Sequence, residues 1–155
     1  MNKRAIIIVG ILTFIGIFLY SSLKSVEPQV IENAPTWLTL DEAQEQAKAS
    51  DKLIMVDVYE VGCKYCRAME REVYPDTTVR TVIDQGFIPV KIDGNSEELV
   101  MFNGEEVAAR DFAQSKGAFV FPTVLILTAE GDLVKKRTGF MNIDDLRQFL
   151  YNPRS

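Results

Sequence analysis

The run KLIMVDV, residues 52–58, is apolar at nearly every position and rich in branched side chains, and it leads within five residues into the chain's two cysteines, Cys63 and Cys66. A strand apolar on both faces must be covered on both, which calls for a sheet with helices packed against it. From Cys63 the pattern turns helical. Cys66, Met69 and Val73 share one face, the charges of Lys64, Arg67, Glu70 and Arg71 lie largely elsewhere, and Pro75 ends the segment. A buried strand that passes directly into a helix is a unit of α/β architecture, and both cysteines sit at its joint.

The remaining elements fit one mixed sheet. Thr39 and Glu42 read as a capping box for a helix over TLDEAQEQAKAS, with Leu40, Ala43 and Ala47 facing inward. A helix over about 78–85 leads to a second strand, FIPVKID. GNSEELVMFNGEE reads as a loop with a small hairpin, followed by a helix over EEVAARDFAQSK that Gly117 closes. FPTVLILTAEGDLVKKRTGF is two strands joined by a turn at Glu130, Gly131 and Asp132. Asn142 caps a last helix from Ile143 to Leu150, with Ile143, Leu146, Phe149 and Leu150 as its buried stripe.

The N-terminus is of another kind. Ala5 to Leu23 carries no charge and follows Lys3 and Arg4. As a helix it is about 28 Å long, close to the roughly 30 Å core of a bilayer. A retained anchor and a cleaved export signal both fit; the length of the run and the lack of an A-x-A-like site favour the anchor. With Lys3 and Arg4 on the cytoplasmic side, either reading sends the rest of the chain out of the cytoplasm. The expected organisation is a cytoplasmic tail over 1–4, an inner-membrane anchor over 5–23, a polar, proline-broken linker over 24–35 and one folded domain over 36–151 that faces the periplasm. The mildly acidic balance, −5, offers no basic face to nucleic acid.

A cysteine at the start of a helix meets unpaired N–H groups and the positive end of the helix dipole, both of which favour the thiolate. Lys64 and Arg67 add to that field, so Cys63 is the expected attacking sulfur. Cys66, one turn further in, is placed to displace a mixed disulfide. Other uses of the pair stay open. A static bridge three residues apart closes a loop too small to restrict the unfolded chain much. A structural zinc site wants four ligands, and the chain has two cysteines and no histidine. Copper through Cys and Met could draw on Met55, Met69, Met101 and Met141, although methionine at helical spacing is commonly core filler.

Three features together resemble the thioredoxin superfamily over about residues 37–151: LIMVDVYEVGCKYC, the FPT of Phe121, Pro122 and Thr123 before an apolar strand, and the GF of Gly139 and Phe140 before the last helix. CKYCRAME, FNGEEV and GFMNIDDLRQFL are similar to exported, membrane-held members of the SoxW type and to the C-terminal domain of the electron carrier DsbD. The resemblance implies a thioredoxin fold, an α/β structure with a central mixed β-sheet flanked by helices. It implies a cis peptide bond before Pro122, placing that proline against the cysteine pair, where its neighbours hold an extended substrate. It places Asp57 as the buried acid that moves protons to and from Cys66, with Lys91 nearby or solvated. It implies substrate contacts by Gly62, Tyr65 and Phe121, with Glu60 and Val61 near the rim and Phe119 either there or packed in the core. The implied activity is thiol:disulfide exchange through Cys63 and Cys66, with no cofactor beyond their own disulfide and no metal. The implied partners are exported proteins carrying disulfides or thiols, together with an inner-membrane electron carrier that keeps the pair reduced. Thioredoxins carry Trp-Cys-Gly-Pro-Cys, whereas Gly62, Lys64 and Tyr65 stand here, which argues against general cytosolic thioredoxin activity.

Overall fold

The structure, a computed structural model, describes residues 3–23 and 31–151. Residues 1 and 2 of the expected tail and 24–30 of the expected linker lie outside the described residues. The chain divides into two units, one ending at Val30 and one beginning at Ile31. The first contains helix α1, Lys3–Leu23, whose Phe14, Ile17 and Tyr20 are exposed apolar side chains. Among the described residues no helix is long and apolar enough to cross a membrane. The transmembrane helix expected over residues 5–23 is thus not found among the described residues.

The second unit is a helix-covered sheet. Helix α2, Leu40–Lys48, starts at Thr39, whose backbone N–H donates to the Glu42 carboxylate at 3.0 Å. Strand β1, Leu53–Tyr59, is buried at its five central residues. Helix α3, Lys64–Ala68, passes into a π-helical turn, Met69–Val73, and α4 runs over Thr77–Gly86, capped by Asp76. Then come β2, Phe87–Asp93, the short strands β3, Leu99–Phe102, and β4, Glu105–Ala108, and helix α5, Ala109–Ser115. Strands β5, Thr123–Leu127, and β6, Leu133–Thr138, precede α6, Ile143–Tyr151. The main sheet has the order β2-β1-β5-β6, with β2 parallel to β1 and the other two pairs antiparallel. It is the mixed sheet that the sequence predicts.

Two layers of core follow from strand alternation. Ile54, Val56 and Val58 of β1 point to the side covered by α2 and α5. Met55, with Val124 and Ile126 of β5, points to the side covered by the π-helical turn, α4 and α6. Met55, Met69 and Met141 are all fully buried in this second layer, as core filler.

Two local expectations need correction. The helix predicted from Glu105 begins only at Ala109, because Glu105–Ala108 form β4. The cause is the turn at Asn103 and Gly104, with φ of 54° and 82°: two left-handed residues in succession match the twist of a two-residue hairpin and commit the flanking residues to strands. The helix after Cys63 is also not regular. Tyr74 N–H donates to the Met69 carbonyl at 2.9 Å, a bond spanning five residues that widens the last turn before Pro75.

Candidate active site

Strand β1 ends at Tyr59, and a short turn carries the chain to Cys63, the N-cap of α3. Gly62 sits at φ 90°, a backbone conformation that glycine adopts without the Cβ clash of other residues. Its left-handed turn points the chain into the helix. Cys63 and Cys66 are joined in a disulfide, their Cα atoms 5.3 Å apart. Cys66 N–H donates to Cys63 Sγ at 3.1 Å, so the first sulfur already occupies the place where helix-end N–H groups converge. The two sulfurs differ in access: Cys63 is partly exposed and Cys66 is 5% exposed.

The second half of the site comes from β5. Val58 and Thr123 are paired across the antiparallel β1/β5 ladder, so the residues before Thr123 lie at the same sheet end as the turn that leads to Cys63. The Phe121–Pro122 peptide bond is cis and Pro122 is buried. The Pro122 carbonyl accepts from Gly139 N–H at 2.8 Å, and the next residue, Phe140, lies with its ring centroid 6.2 Å from that of Tyr65, between the cysteines. Three separated segments therefore meet at one end of the sheet. Around them Val61, Tyr65, Phe119, Val120 and Phe140 expose apolar side chains. Phe119, which the sequence left between rim and core, is on the rim. Glu60 is tied by its carboxylate to Asn95 Nδ2 at 2.7 Å.

Phe121 is only half buried, and its place depends on Gly94. A Cβ built on Gly94 would stand 2.3 Å from Phe121 Cε1 and 2.8 Å from Val58 Cγ1. Gly94→Ala should therefore push the Phe121 ring off the end of β1 and strain the Val58 side of the core. We expect a loss of about 1–3 kcal/mol in urea unfolding, together with a changed chemical environment for Pro122 in NMR spectra. An unchanged Pro122 environment would exclude this coupling.

Asp57 is fully buried on β1, on the Met55 side of the sheet, opposite Lys91 of β2 in the parallel register. Burial pushes its carboxyl from the ordinary 3.8 to about 6, against the opposing pull of Tyr74 and the Lys91 charge. Lys91 is neither simply solvated nor a direct partner of Asp57: its ammonium pairs with Glu70 of the π-helical turn at 2.5 Å and lies 4.6 Å from the centre of the Tyr59 ring. Glu70 and Tyr74 were not singled out by the sequence as site residues. Glu70 looked like one more exposed helix charge, and Tyr74 is turned inward by an irregularity that no spacing rule signals. Among the described residues, no group of three or more His, Cys, Asp or Glu side chains is placed to hold a metal ion.

A four-stranded mixed sheet in this order, with a cysteine pair at the start of the helix after its central strand and a cis proline at the same end, defines a thioredoxin-like protein. The chain belongs to the thioredoxin-like domain family, which residues 40–152 match. Among solved structures it is similar to a candidate disulphide-isomerase from Bacteroides thetaiotaomicron, with TM-score 0.62 and 23% identity over 81% of this chain and 95% of that one. It is also similar to a thioredoxin from Thermus thermophilus, with TM-score 0.60 and 20% identity over 78% and 90% of the two chains. The oxidised C-terminal domain of DsbD from Neisseria meningitidis gives TM-score 0.57 and 19% identity over 73% and 90%. At these identities the likeness shows the fold. A match of 33% identity to UBX domain-containing protein 5 of Saccharomyces cerevisiae is confined to 51 residues, so the chain spans only 10% of that protein.

Proposed function

We propose that this protein is a thiol:disulfide oxidoreductase that exchanges bonds between its Cys63–Cys66 disulfide and cysteines of other proteins. The observation that carries the reading is the asymmetry of the bridge. Its first sulfur is partly exposed at a helix start within a rim of uncovered apolar side chains, and its second is buried against the core. Such an arrangement suits attack by or on Cys63 and internal resolution by Cys66. The apolar rim suits an extended partner segment laid beside Pro122 and Phe121, with Gly62 and Tyr65 beneath it.

Within the family, the chain reads as one of the exported, membrane-held members. The support is the uncharged run from Ala5 to Leu23 and the exposed apolar surface of that helix, which lipid would cover at lower cost than water. The preferred direction is reduction of exported proteins, with an inner-membrane carrier returning electrons to the pair. The resemblance of CKYCRAME, FNGEEV and GFMNIDDLRQFL to electron-relay domains favours that direction.

The test is a redox titration of the full-length protein in detergent with mixtures of reduced and oxidised dithiothreitol, scored by alkylation of freed thiols. The bridge should open and close reversibly at a defined midpoint, and the reduced protein should reduce the interchain disulfides of insulin. A bridge that stays shut in excess dithiol refutes the proposal.

A further inference from the structure

Tyr74 is fully buried, and its hydroxyl has no hydrogen-bond partner; neither carboxyl oxygen of Asp57 has one either. Unpaired polar atoms of this kind are costly, and native structures hold few of them. The two groups lie on the same side of the sheet. Asp57 shares its β1 face with Met55, which packs in one cluster with Met69, Val73 and Tyr74. The π-helical turn delivers Tyr74 into that cluster, and Trp37 holds its ring edge-on at 5.2 Å between centroids.

The other charged and titratable groups around Asp57 are already committed or differently placed. From β2, the Lys91 ammonium is bonded to Glu70 of the π-helical turn, and it acts on Asp57 through its field alone. Tyr59, on β1 itself, lies under Lys91. Cys66 stands one helical turn before Glu70 on the segment that covers Asp57. Among the described residues, that leaves the Tyr74 hydroxyl as the donor available to Asp57. The phenol keeps its proton, because burial and the neighbouring Asp57 both raise its pKa well above the usual value. Its hydroxyl opposes the effect of burial on Asp57 in the manner of a donor. A rotatable O–H needs only a small adjustment to close the bond.

Resting on the exchange reading above, we infer that Tyr74 is a positioning residue of the redox centre: its hydroxyl donates to the Asp57 carboxylate and holds the oxygen that takes the Cys66 proton. In the reducing direction the Cys63 thiolate attacks a disulfide, one partner sulfur leaves as thiolate, and a mixed disulfide forms on Cys63. The Cys66 thiol then passes its proton to Asp57 and attacks Cys63 Sγ. The second partner sulfur leaves as thiolate, two electrons have moved from the dithiol to the partner, and Asp57 returns its proton to solvent. Tyr74 touches none of the reacting atoms. It stabilises the charged form of Asp57, so the acid is ionised and oriented when Cys66 must lose its proton.

The test is Tyr74→Phe, which removes one buried oxygen and keeps the ring. In the full-length protein with 13C-labelled aspartate, the Asp57 carboxyl should titrate about one pH unit higher in the variant, as expected for loss of a hydrogen bond to the charged form. With the reduced protein and 5,5′-dithiobis(2-nitrobenzoate), the first nitrothiolate reports attack by Cys63 and the second reports resolution by Cys66. At pH 6 the first release should be unchanged and the second slowed about fivefold, with its pH midpoint raised alongside that of Asp57. Trp37 fluorescence in the same samples reports the fold. A purely structural tyrosine would lower the unfolding midpoint and leave the Asp57 titration where it was, and that result overturns the inference, as does a lowered Asp57 midpoint. If neither protein releases any nitrothiolate, the exchange reading fails, while the carboxyl titration still decides whether Tyr74 bonds to Asp57.

Discussion

Cys66→Ser should leave a protein that attacks disulfides and cannot let go of them. Cys63 retains its position at the helix start, so its thiolate still forms a mixed disulfide with a partner. The buried group that would displace the partner is then a hydroxyl, which is neither acidic nor nucleophilic enough to do so. Catalytic reduction of insulin should fall by at least about 10³-fold. Covalent adducts should accumulate that run as discrete species on non-reducing gels and vanish with dithiothreitol. Cys63→Ser should lose turnover to the same extent without forming adducts, because the remaining sulfur is buried at 5% exposure. The contrast between the variants carries the assignment of roles. Adducts through Cys66 in Cys63→Ser would reverse it, and absence of adducts from both would remove the enzyme. Mass spectrometry of the trapped species also identifies the physiological partner.

The parts of this site that the sequence exposes are those with a local signal. The joint between β1 and α3 is visible because a strand apolar on both faces ends where a helical period begins, and the cysteines mark the spot. The capping box at Thr39, the turn at Gly131 and the cap at Asn142 each announce an element boundary through residue chemistry acting over three or four positions. The Asn103–Gly104 turn carried the same kind of signal, but the helical pattern of EEVAARDF competes with it, and hairpin geometry decides the outcome for Glu105–Ala108. What stays hidden depends on pairings between distant segments. The Lys91–Glu70 contact joins β2 to the π-helical turn across 21 positions. Tyr74 packs in the buried Met55 cluster and directly follows a π-helical turn that no spacing rule signals. Pro122 illustrates an intermediate case: its cis bond was implied by resemblance, since nothing in the local residues distinguishes it from a trans proline.

Stability should fall as the pH rises through the range where Asp57 ionises, the reverse of the behaviour of a salt-bridged carboxylate. In the unfolded chain this group ionises near 3.8, whereas burial holds it to about 6 in the folded protein. Below the unfolded value both states are protonated and the group costs nothing. Between the two values the unfolded chain gives up its proton first, so unfolding gains about 1.4 kcal/mol for each pH unit. Above about 6 the penalty is complete, on the order of 3 kcal/mol, and remains constant. The carboxylates at helix starts, Asp41, Glu42 and Asp76, work in the opposite sense, since hydrogen bonds hold them below their ordinary values of 3.8 and 4.5. They stabilise the fold above those values and lose that contribution as the pH falls, so the Asp57 effect is read as a difference between parent and variant. Urea unfolding of the parent and of Asp57→Asn, in the oxidised form, should give curves whose separation changes by about 3 kcal/mol between pH 4 and pH 7, with the variant gaining relative to the parent. The same substitution should slow resolution by Cys66 at pH 7 by about 10²-fold, the usual contribution of a positioned base. The stability held at neutral pH is thus lowered by the same buried charge that accepts the proton. A variant whose stability runs parallel to the parent across this range would show that Asp57 is not strained by burial, and its place as the proton acceptor would lose its physical basis.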